Sequence, residues 1–190
     1  MKNLLLAAMA VLAVNFAHAI ELEGFKFDDK IKLGNADLVV NGAGVRSKFG
    51  KRYVMVLYLP AKATDTKAVL ATQGPKRVAI SLIKDVSGST FAGAVSGGIN
   101  DNSSDAEKAA LKDRIKQLSD TVAAIDEIKA GTSIVFDWIP EKGTVLTIGG
   151  QMKGKEIPGE DFYAGLLKVW LGEDPAQNDL KQALLGKASQ

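Results

Sequence analysis

The sequence predicts an α+β fold built around an antiparallel sheet. Two observations carry this. Short alternating segments with turn residues between them dominate residues 24–83, whereas helical periodicity is concentrated after residue 87. A second strand pair, Ser133–Ile139 and Thr144–Ile148, then closes around Pro140, Glu141, Lys142 and Gly143. Strands and helices that are partly segregated along the chain favour antiparallel pairing over a βαβ arrangement.

Taken in order, Gly24 to Leu33 alternates apolar and polar residues and predicts one or two strands, turning at Asp28–Lys30. Asp37–Val40 and Tyr53–Leu59 predict stronger strands, with Tyr53, Met55, Leu57 and Leu59 on the inward face. Between them, the Gly- and Lys-rich stretch from Asn41 to Lys51 reads as a bend that glycine permits. Thr64–Ala71 fits a short helix stopped by Gly74 and Pro75. Arg77–Ile83 is a further strand with Val78, Ile80 and Leu82 on one face. Ser87 is placed to cap a helix. Leu111, Ile115, Leu118, Val122 and Ile125 then form the seam of a long amphipathic helix, capped by Ser104 or Asp105 and ended by Gly131. Pro158 opens a helix carrying Phe162, Leu166, Val169 and Trp170, and Asn178–Leu185 forms the last one.

The first nineteen residues are expected to be a cleaved leader. Lys2 precedes an uncharged apolar run from Leu4 to Val14, and Ala17-His18-Ala19 supplies small residues before a cut at Ile20. The run is shorter than the roughly 20 residues that a bilayer span requires. The expectation is a secreted protein, periplasmic in a Gram-negative host, with residues 20–190 as one domain and no membrane span.

Composition narrows the chemistry. The 190 residues include no cysteine, which removes disulfides, thiolate metal sites and a cysteine nucleophile. The one histidine is His18, and it leaves with the leader, taking histidine-based catalysis and zinc ligation with it. A net charge of +2 gives no field suited to nucleic acid. No cofactor is expected: Gly42-Ala-Gly44 lacks the third glycine of a dinucleotide fingerprint, and no helix pattern follows it. Ser81 and Lys84 match an S-x-x-K pattern, but on a strand those positions point to opposite sides. Glu160-Asp161 suits the first turn of a helix, Asp126-Glu127 suits the polar side of the long helix, and Phe136, Trp138, Phe162 and Trp170 suit a core.

Arg46 and Tyr53 stand apart. A guanidinium at the edge of an apolar cleft can hold a carboxylate through two parallel hydrogen bonds, and a phenol can add a third. The competing reading is an arginine that merely extends to water.

Residues Val40–Ser47 (VNGAGVRS) and Tyr53–Leu59 (YVMVLYL) resemble the chalcone isomerase family, in particular its bacterial isomerase-like branch. Ile157–Phe162, Trp170–Pro175 and Leu180–Gly186 resemble the end of that branch. The resemblance implies an open-faced β-sandwich, a large antiparallel sheet covered by a layer of helices with a ligand cleft between. It also implies two activities. Plant enzymes of the family cyclise a chalcone to a flavanone by an oxa-Michael addition, using an arginine, a threonine, a tyrosine and an asparagine. A sibling branch binds fatty acids through an arginine and a tyrosine.

By the resemblance, the arginine falls on Arg46, the threonine position on Tyr53, the tyrosine on Phe91 and the asparagine on Gly98. Phenylalanine has no hydroxyl to orient water, and glycine has no side chain to donate. An isomerase would then rely on Arg46 as its catalytic residue, and loss of one stabilising donor costs about 10²–10³ in rate. The expectation is therefore a non-catalytic protein that binds a small apolar acid, fatty acid or flavonoid-like, with Arg46, Tyr53, Phe91 and Gly98 at the ligand. Chalcone isomerisation is the alternative.

Overall fold

Seven antiparallel strands form the main sheet in the computed structural model, which describes residues 19–187. In chain order the elements begin with β1 (Ala19–Leu22), β2 (Phe25–Asp28), β3 (Lys30–Leu33), β4 (Ala36–Ser47), β5 (Lys51–Leu59), α1 (Thr66–Ala71), β6 (Lys76–Leu82) and β7 (Val86–Ser87). They continue with α2 (Gly88–Asp101), α3 (Asp105–Ala123), β8 (Glu127–Ile128), β9 (Ser133–Ile139), β10 (Gly143–Ile148), β11 (Gln151–Met152), α4 (Glu160–Leu171) and α5 (Asn178–Leu184). The sheet order is β11-β10-β9-β6-β5-β4-β3, and the helices cover one face. Apart from Ala19, the expected leader lies outside the described residues.

Alternation decides which side chains meet. Met55, Leu57 and Leu59 of β5 and Val78, Ile80 and Leu82 of β6 join one core with the helical residues, among them Ile99, Leu118, Phe162 and Leu166. The other face is partly covered too. Val56 and Tyr58 pack with Leu33, Leu38 and Val40, and Ile20 and Phe27 of the β1–β2 hairpin lie against them. This is why β5 is apolar on both sides.

The largest difference from the expected elements is β4. It runs unbroken to Ser47 rather than bending after Val40, with a bulge at Asn41 (Val40 pairs with Tyr58, but Gly42 pairs with Leu57) and a second register shift after Arg46, where Ser47 pairs with Lys51. The glycines serve close packing instead of a turn. A Cβ on Gly42 would lie 2.1 Å from the Ala183 carbonyl oxygen, and one on Gly44 would lie 2.8 Å from the Ala183 Cβ. Helix α5 therefore rests directly on the strand backbone. The buried Asn41 fastens it there, donating from Nδ2 to Leu184 O at 2.7 Å and to Ala63 O at 2.9 Å.

Other boundaries shift less. Helix α3 opens with a capping box between Ser104 and Glu107 but ends at Ala123, because the chain turns to pair β8 with β7. Asp126 and Glu127 are thus beyond the helix. Helix α4 begins at Glu160 after Gly159, whose φ of 93° redirects the chain, so Pro158 precedes the helix rather than opening it. Its first-turn acids reach other elements: Glu160 accepts from the buried Lys76 Nζ at 2.7 Å, and Asp161 pairs with Arg114 at 2.6 Å.

Candidate functional site

The bulge in β4 decides where Arg46 points. Val40 faces away from the helices, and uninterrupted alternation would put Arg46 on that same outer face. The extra residue at Asn41 reverses the parity, so Gly42, Gly44 and Arg46 all face the helices. Tyr53 is the direct cross-strand partner of Arg46. Guanidinium and phenol are thereby neighbours on one face of the sheet.

Both line a cavity of about 590 Å³ between the sheet and helices α2 and α4. Its lining is graded. Leu82, Phe91, Val95, Val169 and Trp170 are buried and apolar; Arg46 and Tyr53 are half-buried; Lys48, Arg52, Lys84 and Asp85 are exposed. The polar groups therefore crowd the opening and the apolar ones form the floor.

Two fixed contacts orient the pair. Gln177, just before α5, accepts at Oε1 from Ser47 N (2.7 Å) and from Arg46 Nη1 (3.2 Å). Arg46 Nη1 also donates to Ser47 O at 2.7 Å. The Arg46 guanidinium also bears on the Tyr53 phenol, through its charge and a side-chain hydrogen bond. Trp170 Nε1 donates to Tyr53 Oη at 2.8 Å. Burial raises the Tyr53 pKa, against the opposing pull of the Trp170 hydrogen bond and of the Arg46 charge and hydrogen bond. The phenol is thus protonated at neutral pH, and its own O–H can be donated.

Of the residues singled out from sequence, Arg46, Tyr53 and Phe91 come together at the cavity, and Gly98 does not. Gly98 faces α4, where a Cβ would lie 2.8 Å from Val169 Cγ1. A larger side chain there would meet that helix, and Gly98 is not among the residues that line the cavity. Asn100, close by in sequence, is exposed. Phe91 is 6% exposed and contributes ring surface but no hydroxyl.

Trp170 and Gln177 were not legible as site residues. Trp170 occupies a core position in the helical pattern; only its need for a partner for a buried indole N–H hints at more. Gln177 offers no sequence signal. Among the described residues no group of three or more histidine, cysteine, aspartate or glutamate side chains could hold a metal ion. Nor is any described helix long and apolar enough to cross a membrane.

Comparison with known proteins agrees with this architecture. The family model described as chalcone isomerase-like matches residues 19–186. Among solved structures, a fatty-acid binding protein from Arabidopsis thaliana superposes with a TM-score of 0.63 at 14% identity, over 88% of this chain and 96% of that one. At that identity the likeness establishes the fold. No curated protein matches the sequence.

Proposed function

Because the chain belongs to the chalcone isomerase-like family, we propose that it is a non-catalytic binding protein for a fatty acid or a similar small apolar carboxylate. The observation that carries this reading is the Arg46–Tyr53 pair above an apolar floor. A carboxylate accepts hydrogen bonds from the Arg46 guanidinium and from the Tyr53 hydroxyl. The tail lies along Leu82, Phe91, Val95 and Trp170, where leaving water is favourable by about 25 cal/mol per Å² of apolar surface. The likeness in fold to a fatty-acid binding protein supports the same reading.

Chemistry is disfavoured by what surrounds the pair. At Phe91 a ring without a hydroxyl takes the place of the family's tyrosine, and Gly98 is committed to packing on Val169. That leaves Arg46 and the Tyr53 phenol, and neither is a base that could take a proton from a phenolic substrate at neutral pH.

The mature protein, residues 20–190, acts outside the cytoplasm in this proposal; cell fractionation and N-terminal sequencing should find it secreted and beginning at Ile20. Native mass spectrometry of the purified protein should reveal a co-purified apolar acid that Arg46→Ala lacks. Cyclisation of a chalcone well above the spontaneous rate, lost in the same variant, would replace the binding reading with the isomerase.

A further inference from the structure

The tip of the β4–β5 hairpin, Lys48-Phe49-Gly50, sits at the cavity rim. Phe49 is 89% exposed, and its φ of 53° is left-handed, a conformation uncommon for a bulky residue. The turn is held by hydrogen bonds from Lys48 N to Gly50 O at 3.0 Å and from Arg52 Nε to Lys48 O at 2.9 Å. One exposed ring is ordinary on a protein surface. Its surroundings are not.

Lys48, Arg52 and Lys84 are all exposed near it, and among the described residues none has an acidic partner within salt-bridge distance. Lys84 reaches the tip itself, its Nζ lying 3.3 Å from where a Gly50 Cβ would stand. The neighbouring acids are already engaged: Glu23 with Lys51 at 2.7 Å and Asp85 with Lys129 at 3.1 Å. The tip thus presents an apolar point among uncompensated cations.

We propose that this tip docks on an anionic lipid bilayer, with Phe49 inserted at the headgroup–acyl boundary and Lys48, Arg52 and Lys84 against the lipid phosphates. Charge complementarity favours this partner. So does size, since a three-residue turn offers far less than the roughly 800 Å² per partner of a stable protein interface. Docking would bring the cavity rim to the membrane surface, so that an apolar acid passes between bilayer and cavity without crossing bulk water. That last step rests on the ligand reading; the docking itself does not.

The test is co-sedimentation of the mature protein with phosphatidylcholine vesicles in which a third of the lipid is phosphatidylglycerol, against phosphatidylcholine alone. Partition onto the anionic vesicles is expected, weakened about fivefold by each of Lys48→Gln and Lys84→Gln and at least about tenfold by Phe49→Ala. Phe49→Trp should restore it, with emission shifting to the blue on the vesicles. Arg46→Ala, deprived of the proposed acid anchor, should still partition, which separates failure of docking from failure of the ligand reading. Equal partition of Phe49→Ala and wild type, or no preference for the anionic vesicles, overturns the proposal. So does a soluble protein held by the tip when vesicles are not.

Discussion

Trp170 Nε1 donates a 2.8 Å hydrogen bond to Tyr53 Oη. An indole N–H can only donate, so the tyrosine oxygen is the acceptor and its proton remains free for another partner. A helix residue, fixed by core packing, thus determines how a strand residue presents its hydroxyl. Arg46, directly across the ladder, supplies the charge beside it.

Tyr53→Phe should therefore do two things at once. It removes a ligand donor, lowering affinity for a long-chain acid about tenfold or more, the worth of a hydrogen bond to a charged group. It also leaves the Trp170 N–H without its acceptor, lowering stability by about 1–3 kcal/mol. Titration calorimetry and urea unfolding read the two effects separately. Unchanged stability would mean that the indole finds another acceptor.

Gln177→Ala should weaken acid binding by about three- to tenfold without removing any group that touches the ligand. The amide accepts from both Arg46 and Ser47, so its loss frees the guanidinium to sample other rotamers. Gln177→Glu, which keeps the acceptor, should recover the geometry of Arg46 while competing for its charge. Affinity in both variants, read beside Arg46→Ala, orders the three contributions.

Gly42→Ala and Gly98→Ala separate two kinds of close contact. The new Cβ at Gly42 meets backbone, 2.1 Å from Ala183 O, and α5 has to lift. At Gly98 it meets a Val169 side chain at 2.8 Å, which can yield. Thermal or urea unfolding should show a loss of about 3 kcal/mol or more at Gly42 and about 1 kcal/mol at Gly98. Gly42→Ala should also weaken ligand binding, because α5 carries the Gln177 clamp with it.

Much of the fold could be read from the chain and one part of the site could not. The alternation of β5 and β6, the seam of α3 from Leu111 to Val122 and the β9–β10 hairpin are local periodicities, and each appears where the pattern places it. In β4 the glycines signal a turn locally, while their role is to admit α5 from the far end of the chain. The same contact explains why Gln177 was invisible: its partners lie about 130 positions away. Gly98 draws attention by its place in a motif, and what a motif does not show is the helix packed against it.

Acid should unfold the protein partly through the start of α3. Hydrogen bonds from Lys168 and from Ser104 hold the Glu107 carboxylate at a pKa of about 2, below its usual value near 4.5. A depressed carboxylate contributes its stability above the unfolded-state pKa and loses it as pH falls through the folded one. The loss should therefore develop between about pH 4.5 and about pH 2, and Glu107→Gln should flatten that part of the stability profile. At neutral pH the variant should cost little, because glutamine still accepts from Ser104 N in the capping box and only the exposed ion pair with Lys168 is lost.

The most direct measurement compares a long-chain carboxylic acid with the alcohol of equal chain length, each titrated into delipidated wild type and Arg46→Ala. The account predicts that wild type prefers the acid by about 10- to 100-fold, the worth of a charged hydrogen-bonded anchor, and that Arg46→Ala binds the two alike. Equal binding of acid and alcohol by wild type, or an undiminished preference in Arg46→Ala, would contradict it.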